Sequence, residues 1–339
     1  MSIDDKTTRP VAPAGERRRV LAALAAGVLA AVATPHLAHA QAPAWPTRPV
    51  RFIVNFPPGG PLDLAARAVA ERVSAALKQP VVVENRPGAG GNIGAEAVAR
   101  ATPDGYTVLF SIDTPFTVNP TVYPTMSFKP ADLRPLVLLG ASGLVLTVHP
   151  GLGVSTLAEL AAKAKTQEVT FSSAGNGSPG HISSAILAES TGARVNHIPY
   201  KGNAPAVTAL LAGEVQAGIL ATPGVLPHLQ AGKLRALAVT SQQRSPLLAD
   251  VRTVAEAGLR ELEFEVLYLA LVPAGVQPAI AATLQKEIAA AVTSGEVQER
   301  LRKLDLQPSG STGAAVEERL ARLRERYAPV VRKTGMKVQ

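Results

Sequence analysis

The chain has 339 residues, 47% of them hydrophobic and 18% charged, with no cysteine and a net charge of +8. This is the profile of a globular protein with a substantial core and, by length, two domains. Lack of cysteine excludes disulfides, thiolate nucleophiles and thiolate metal sites and suits an oxidising compartment.

In chain order the first signal is a leader. Arg17, Arg18 and Arg19 precede a small apolar run from Val20 to Ala33, and Ala38-His39-Ala40 stands before Gln41. The run is too short to span a bilayer comfortably, and the small-x-small triplet suits a signal peptidase. A cleaved secretion signal over residues 1–40 is therefore expected, with an uncleaved anchor as the alternative. Val20 and Leu21 behind the arginines also loosely resemble a twin-arginine export signal. Without residues 1–40 the net charge is +6. That small, dispersed surplus, with aromatics at 4%, favours anionic small molecules over nucleic acid. Glu318 and Arg322, four apart, belong to a solvated helix face.

From residue 50 strands and helices alternate, the pattern of an α/β fold with mostly parallel strands. Val50 to Phe56 is extended, Pro57-Pro58-Gly59-Gly60 breaks it, Pro61 opens a helix through Leu77, and Asp63 can accept from first-turn amides. Val81 to Glu84, Ala95 to Arg100 and Tyr106 to Ser111 repeat the scheme. A second series runs from Val145 to Val239, with strands at 145–148, 169–172, 195–198, 216–220 and 234–239 and helices at 156–165, 181–190 and 204–212. Two long apolar strands, Leu136 to Val148 and Phe264 to Val272, bracket this series and are expected to cross between lobes, with the C-terminal helices returning to the first. Ligands of open α/β sheets sit at the carboxyl ends of the strands, so facing loops of two lobes would make a cleft.

The block Arg86-Pro87-Gly88-Ala89-Gly90-Gly91-Asn92-Ile93-Gly94 suggests a dinucleotide fingerprint. Gly88 and Gly90 are correctly spaced and an acid, Asp113, follows. The third glycine fails, because Ile93 holds its place and Gly94 comes one residue late, while Arg86 and Pro87 lengthen the turn. Motifs for serine hydrolases, zincins and P-loops are missing. His149, His181, His197 and His228 are scattered without metal-ligand spacing. No catalytic residue, metal or cofactor is expected.

Several words in fixed order carry a resemblance: Phe56-Pro57-Pro58-Gly59-Gly60 with Asp63, Val83 to Gly94, Pro103-Asp104-Gly105-Tyr106, Ser173-Ala174-Gly175-Asn176-Gly177, Pro199-Tyr200-Lys201-Gly202, and Ala231 to Thr240. From Trp45 to its end the chain resembles the TctC-like or Bug receptors of tripartite tricarboxylate transporters. The resemblance implies a two-lobed periplasmic binding protein, type II-like, with two doubly wound α/β domains joined by crossing strands. Lobe 1 would comprise 41–142 with 268–339, and lobe 2 143–267. It further implies a small carboxylate ligand, membrane permease subunits as partners, and a glycine block that is loop scaffold. The expected state is a monomer. A sensor that docks on a periplasmic signalling domain is an alternative, and a dehydrogenase a more remote one.

The physical picture agrees. Gly59-Gly60-Pro61 and Asn176-Gly177-Ser178-Pro179 place backbone with little side chain just before helices, offering amides and the positive end of the helix dipole to an anion. Four such amides would contribute roughly 6 to 12 kcal/mol at about 1.5 to 3 each, against ~8 for micromolar binding. The expected ligand-binding set is Phe56, Pro57, Gly59, Gly60, Ser111, Asp113, Ser173, Asn176, Gly177, Ser178, His181, Tyr200 and Thr222. Within it Ser173 and Ser178 also suit turns or caps, Tyr200 the core, and His181 a helix terminus. Compared with the family, Ile112-Asp113-Thr114-Pro115-Phe116 replaces small residues, and an apolar residue stands at Leu220 where relatives often carry an aspartate. Asp113 either faces the cleft and pairs with an amino or other cationic group of the ligand, or is a surface turn residue.

Overall fold

The computed structural model describes residues 45–338, and the expected secretion signal lies outside them. Each early strand hands the chain to a helix. β1 (Val50–Val54) leads to α1 (Pro61–Leu77), β2 (Val81–Asn85) to α2 (Asn92–Ala99), and β3 (Thr107–Ile112) to the short α3 (Thr114–Thr117) and α4 (Asn119–Val122). α1 begins with proline at a position where no amide hydrogen is needed. Leu62, Ala65, Ala66, Val69 and Val73 form its buried stripe at helical spacing.

The apolar run from Leu136 to Val148, expected as one strand, is two. β4 (Leu133–Ser142) belongs to one sheet and β5 (Val145–Val148) to another, with Gly143 and Leu144 making the crossing. The second series continues through α5 (Leu157–Thr166), β6 (Val169–Ser173), α6 (Pro179–Thr191), β7 (Val195–Pro199), α7 (Asn203–Leu211), β8 (Ala217–Leu220), α8 (Thr222–Gln230) and β9 (Arg235–Val239). β10 (Val266–Pro273) then enters the first sheet, followed by α9 (Pro278–Thr293), α10 (Gly295–Lys303), β11 (Gln307–Pro308) and α11 (Ala314–Lys333). α8 has no counterpart in the sequence expectations, because Pro227 inside it breaks up its helical signal.

The first sheet has six strands in the order β11-β4-β10-β3-β1-β2, and the second five in the order β7-β6-β8-β5-β9. β1 pairs in parallel with β2 and β3, and β6 with β7 and β8. The crossing strands break the expected parallel pattern. β10 runs antiparallel to β3 and β4, and β5 antiparallel to β8 and β9, since each enters its sheet from the other lobe rather than through a βαβ unit. β10 is buried along its whole length, as a central strand covered on both faces must be.

Buried Thr240 ties the two crossings together. Its amide donates to the Leu144 carbonyl and its hydroxyl to the Phe264 carbonyl, while the amides of Leu144 and Phe264 donate to its Oγ1 and carbonyl oxygen. Both links between the sheets are thus held side by side at one threonine. No described helix is long and apolar enough to cross a membrane.

Candidate functional site

The turn after β1 is built around Asp63, the third residue of α1. Rather than capping the first helical turn, its Oδ2 accepts the Gly59 amide at 2.9 Å and Arg67 Nε at 3.0 Å, and Oδ1 accepts Asn85 Nδ2 at 3.0 Å. Asn85 Nδ2 also donates to the Phe56 carbonyl. Burial pushes the Asp63 carboxyl upward, but hydrogen bonds from Arg67, Gly59 and Asn85 outweigh it and hold the group below its usual range. This stabilisation is therefore present above about pH 4 and is lost as pH falls through the depressed value. Asp63→Ala should cost about 1 to 3 kcal/mol, because the Gly59 amide, Arg67 and Asn85 all lose a charged acceptor that is itself buried. Chemical denaturation at pH 7 and pH 3.5 checks this: the gap between variant and wild type should shrink at the lower pH.

The second turn follows β6. Ser178 caps α6, its Oγ accepting the His181 amide at 3.4 Å and donating to Ser173 Oγ at 3.2 Å. Buried Ser173 lies 2.6 Å from His197 Nε2, and the rings of His197 and His181 stack at 3.8 Å. Desolvation lowers both imidazoles, His181 to about 4 and His197, helped by the neighbouring His181, to about 3, so the pair is neutral at pH 7. His181 Nδ1 accepts the Gly177 amide at 3.1 Å.

These contacts correct the amide count expected from sequence. The Gly59 and Gly177 amides are taken by Asp63 and His181, because short polar side chains lie within reach of tight turns. Among the described residues no protein acceptor is paired with the Gly60 or Gly180 amide. Gly180 is also a position where only glycine fits: a Cβ there would lie 2.2 Å from the Ile219 carbonyl oxygen of β8.

A cavity of about 520 Å³ lies between these turns, lined by both of them and by residues the sequence analysis did not select. Four helices begin at its wall, α1 at Gly60, α6 at Ser178, α7 at Gly202 and α8 at Ala221. Only Ser178 makes a side-chain cap hydrogen bond; α1 carries Asp63 in its first turn, whereas α7 and α8 begin with neither a side-chain cap nor an acidic residue and so present orphan donors and uncompensated positive dipole ends. The lining includes Lys201 and His228 but no Asp, Glu or Arg. The arrangement suits an anion without an arginine clamp.

Of the expected set, Phe56, Pro57, Gly59, Gly60 and Ser178 line this cavity, whereas Ser111, Asp113, Ser173, Asn176, Gly177, His181, Tyr200 and Thr222 do not. Asp113 is fully buried, neither cleft ligand nor surface turn residue. Its Oδ1 accepts the Leu267 amide at 2.9 Å and its Oδ2 the Thr117 hydroxyl at 2.9 Å, so the carboxyl extends the pairing of β3 with β10. Burial raises it to about 7. Buried Ser111 accepts from Asn55 Nδ2 and donates to the Ile112 carbonyl. Thr222 Oγ1 donates to Asp305 Oδ2 at 2.5 Å, and Ser245 holds the other oxygen of that acid. Half-buried Tyr200 packs on the apolar cluster of the second sheet, and Asn176 is exposed.

The glycine block is packed as scaffold. Asn55 Nδ2 donates to the Gly91 carbonyl, and a Cβ on Gly90 would lie 2.8 Å from the Tyr123 hydroxyl and 3.2 Å from the Gly177 carbonyl. Glycine there lets the first sheet's loop approach the second turn closely. A local signal for the α8 start, and for the α7 start as part of the site, did exist: Pro205 and Pro223 stand near helix starts as Pro61 and Pro179 do.

Comparison with known proteins agrees with this geometry. Residues 65–336 match the family described as the tripartite tricarboxylate transporter family receptor. Protein BugT of Bordetella pertussis is 39% identical over 303 residues, covering 88% of this chain and 93% of BugT. The structure of the periplasmic binding protein BugD is similar with a TM-score of 0.81 at 31% identity, covering 87% of this chain and all of that one. The structure of R. palustris Rpa4515 with adipate has a TM-score of 0.81 at 32% identity, over 86% of this chain and 99% of that one. With its two α/β lobes and a cleft edged by helix N-termini, the chain belongs to the TctC-like, or Bug, family of tripartite tricarboxylate transporter receptors.

Proposed function

We propose that this protein is a periplasmic solute receptor that captures a small carboxylate between its lobes and delivers it to the membrane permease of a tripartite tricarboxylate transporter, without catalysis. One observation carries the reading: four helix N-termini, three without a side-chain cap, meet at a cavity whose lining has no acidic side chain. A helix terminus carries roughly half a positive charge, offset at α1 by Asp63, and hydrogen bonds to a charged acceptor contribute about 1.5 to 3 kcal/mol. Two or three amide contacts with some apolar burial reach the ~8 kcal/mol of micromolar affinity after the cost of ordering the ligand. Adipate bound to Rpa4515 supports the ligand class, and the periplasmic relative BugD supports the compartment.

Calorimetry on protein unfolded and refolded to strip retained ligand tests the reading. A carboxylate should bind with micromolar affinity and its neutral amide at least about a hundredfold more weakly, since the amide forfeits the charge-assisted contacts. Equal affinity for acid and amide would remove the anion site.

A further inference from the structure

We propose that the carboxylate this receptor selects has an apolar body and carries neither an ammonium group nor hydroxyls. The inference rests on the carboxylate reading above and adds the chemistry of the rest of the ligand.

The wall of the cavity away from solvent is formed by Ile112, Leu144, Ile219, Leu220, Val266 and Tyr268, all buried to 6% exposure or less. They come from the ends of β3, β8 and β10 and from the crossing after β4, so the sheet ends that face the ligand present aliphatic carbon. A substituent placed against them gains by burial. The cavity volume, about 520 Å³, falls in the range that encloses a drug-sized ligand, leaving room for a body beyond the acid group.

Of the polar side chains on the lining, Ser178, Thr208 and the Asn203 oxygen are committed elsewhere, while exposed Lys201, half-buried His228 and Asn203 Nδ2 lie outside the apolar wall. Asn203 Oδ1 accepts the Ala221 amide, and Ser178 Oγ is shared between the His181 amide and Ser173. The Tyr268 hydroxyl has Ser142 at 3.4 Å, and burial raises it to about 12, so it stays protonated. Asp113, whose neighbour Ile112 forms part of the wall, is closed off by the Leu267 amide and Thr117. No carboxylate remains on the lining to pair with an ammonium group, which would also lie among four helix N-termini. A ligand hydroxyl against Ile112, Leu144, Ile219, Leu220 or Val266 would lose water and find no side-chain partner, the Tyr268 hydroxyl being the single polar group of that wall.

A ligand series on the stripped protein tests this, using calorimetry at pH 7.5 with straight-chain monocarboxylates from propanoate to octanoate, phenylacetate, phenylalanine, malate and phenylacetamide. Affinity is expected to rise about fourfold per methylene until the cavity is filled. Phenylacetate should bind at least about tenfold more tightly than phenylalanine or malate. Ile112→Thr, which replaces an ethyl arm of the wall with a hydroxyl, should narrow the gap between hexanoate and malate. A series flat in chain length, or malate or phenylalanine binding as tightly as phenylacetate, overturns the apolar selection and leaves the carboxylate reading standing. Binding of phenylacetamide as tight as that of phenylacetate overturns both.

Discussion

Gly180→Ala is expected to lower stability by about 1 to 3 kcal/mol or more and to weaken carboxylate binding at least about tenfold. A methyl there would meet the Ile219 carbonyl oxygen at 2.2 Å and the Ser173 side chain at 3.3 Å. Neither neighbour is the far end of a flexible side chain. The Ile219 carbonyl belongs to β8 in the middle of its sheet, so α6 has to back away, and the Gly180 amide leaves the cavity with it. Gly258→Ala serves as the comparison, because that glycine has φ +86° with no atom within 4 Å of the added carbon. It should carry only the backbone strain, about 1 kcal/mol, and bind normally. Thermal unfolding with calorimetry separates the two effects. A folded Gly180→Ala protein with wild-type affinity would show that the α6 terminus plays no part in holding the ligand.

Asp113→Asn should remove a pH dependence of stability and leave carboxylate binding as it was. Burial raises this carboxyl from 3.8 to about 7 in the folded protein. Between those values the native chain keeps a proton that the unfolded chain has released, so the contribution is fully present below about pH 4 and is lost as pH rises through about 7. The two limits differ by on the order of 4 kcal/mol. An asparagine is neutral throughout, its oxygen can accept the Leu267 amide, and its amide group can donate to Thr117, which then acts as acceptor. The variant should therefore be the more stable protein at pH 8, with the difference shrinking towards pH 5. His181 and His197 work in the opposite sense, their depressed values costing stability as pH falls below 6.5. The difference between variant and wild type isolates Asp113 from them. Unfolding curves from pH 5 to pH 8 provide the check, and parallel profiles would mean that the carboxyl is ionised across the range.

Asp113 also shows where reading along the chain stops. An acid just after the third strand, next to a suspected cleft, looks like a ligand contact because local sequence shows no partner for it. Its partner amide belongs to Leu267, 154 residues later, in the strand that crosses back. Thr222 misled in the same way, since its acceptor Asp305 comes from the loop after α10. Gly59 and Gly177 are subtler cases: each is bonded to a residue only four positions away, which spacing permits but does not require.

Sequence by itself determined the alternation of strands and helices, the apolar crossings, the side-chain-poor turns at Gly59-Gly60 and Asn176-Gly177, and the family. These rest on local quantities: hydrophobic period, glycine and proline placement, and words of adjacent residues. Only the tertiary structure decided which amides remain for a ligand, that four helix ends rather than two meet at the cavity, and that its deep wall is Ile112, Leu144, Ile219, Leu220, Val266 and Tyr268. The physical reason is that hydrogen-bond saturation and the facing of a side chain are set by partners far away in the chain. A buried acid, an occupied amide and a free amide look alike until the sheets bring those partners into contact.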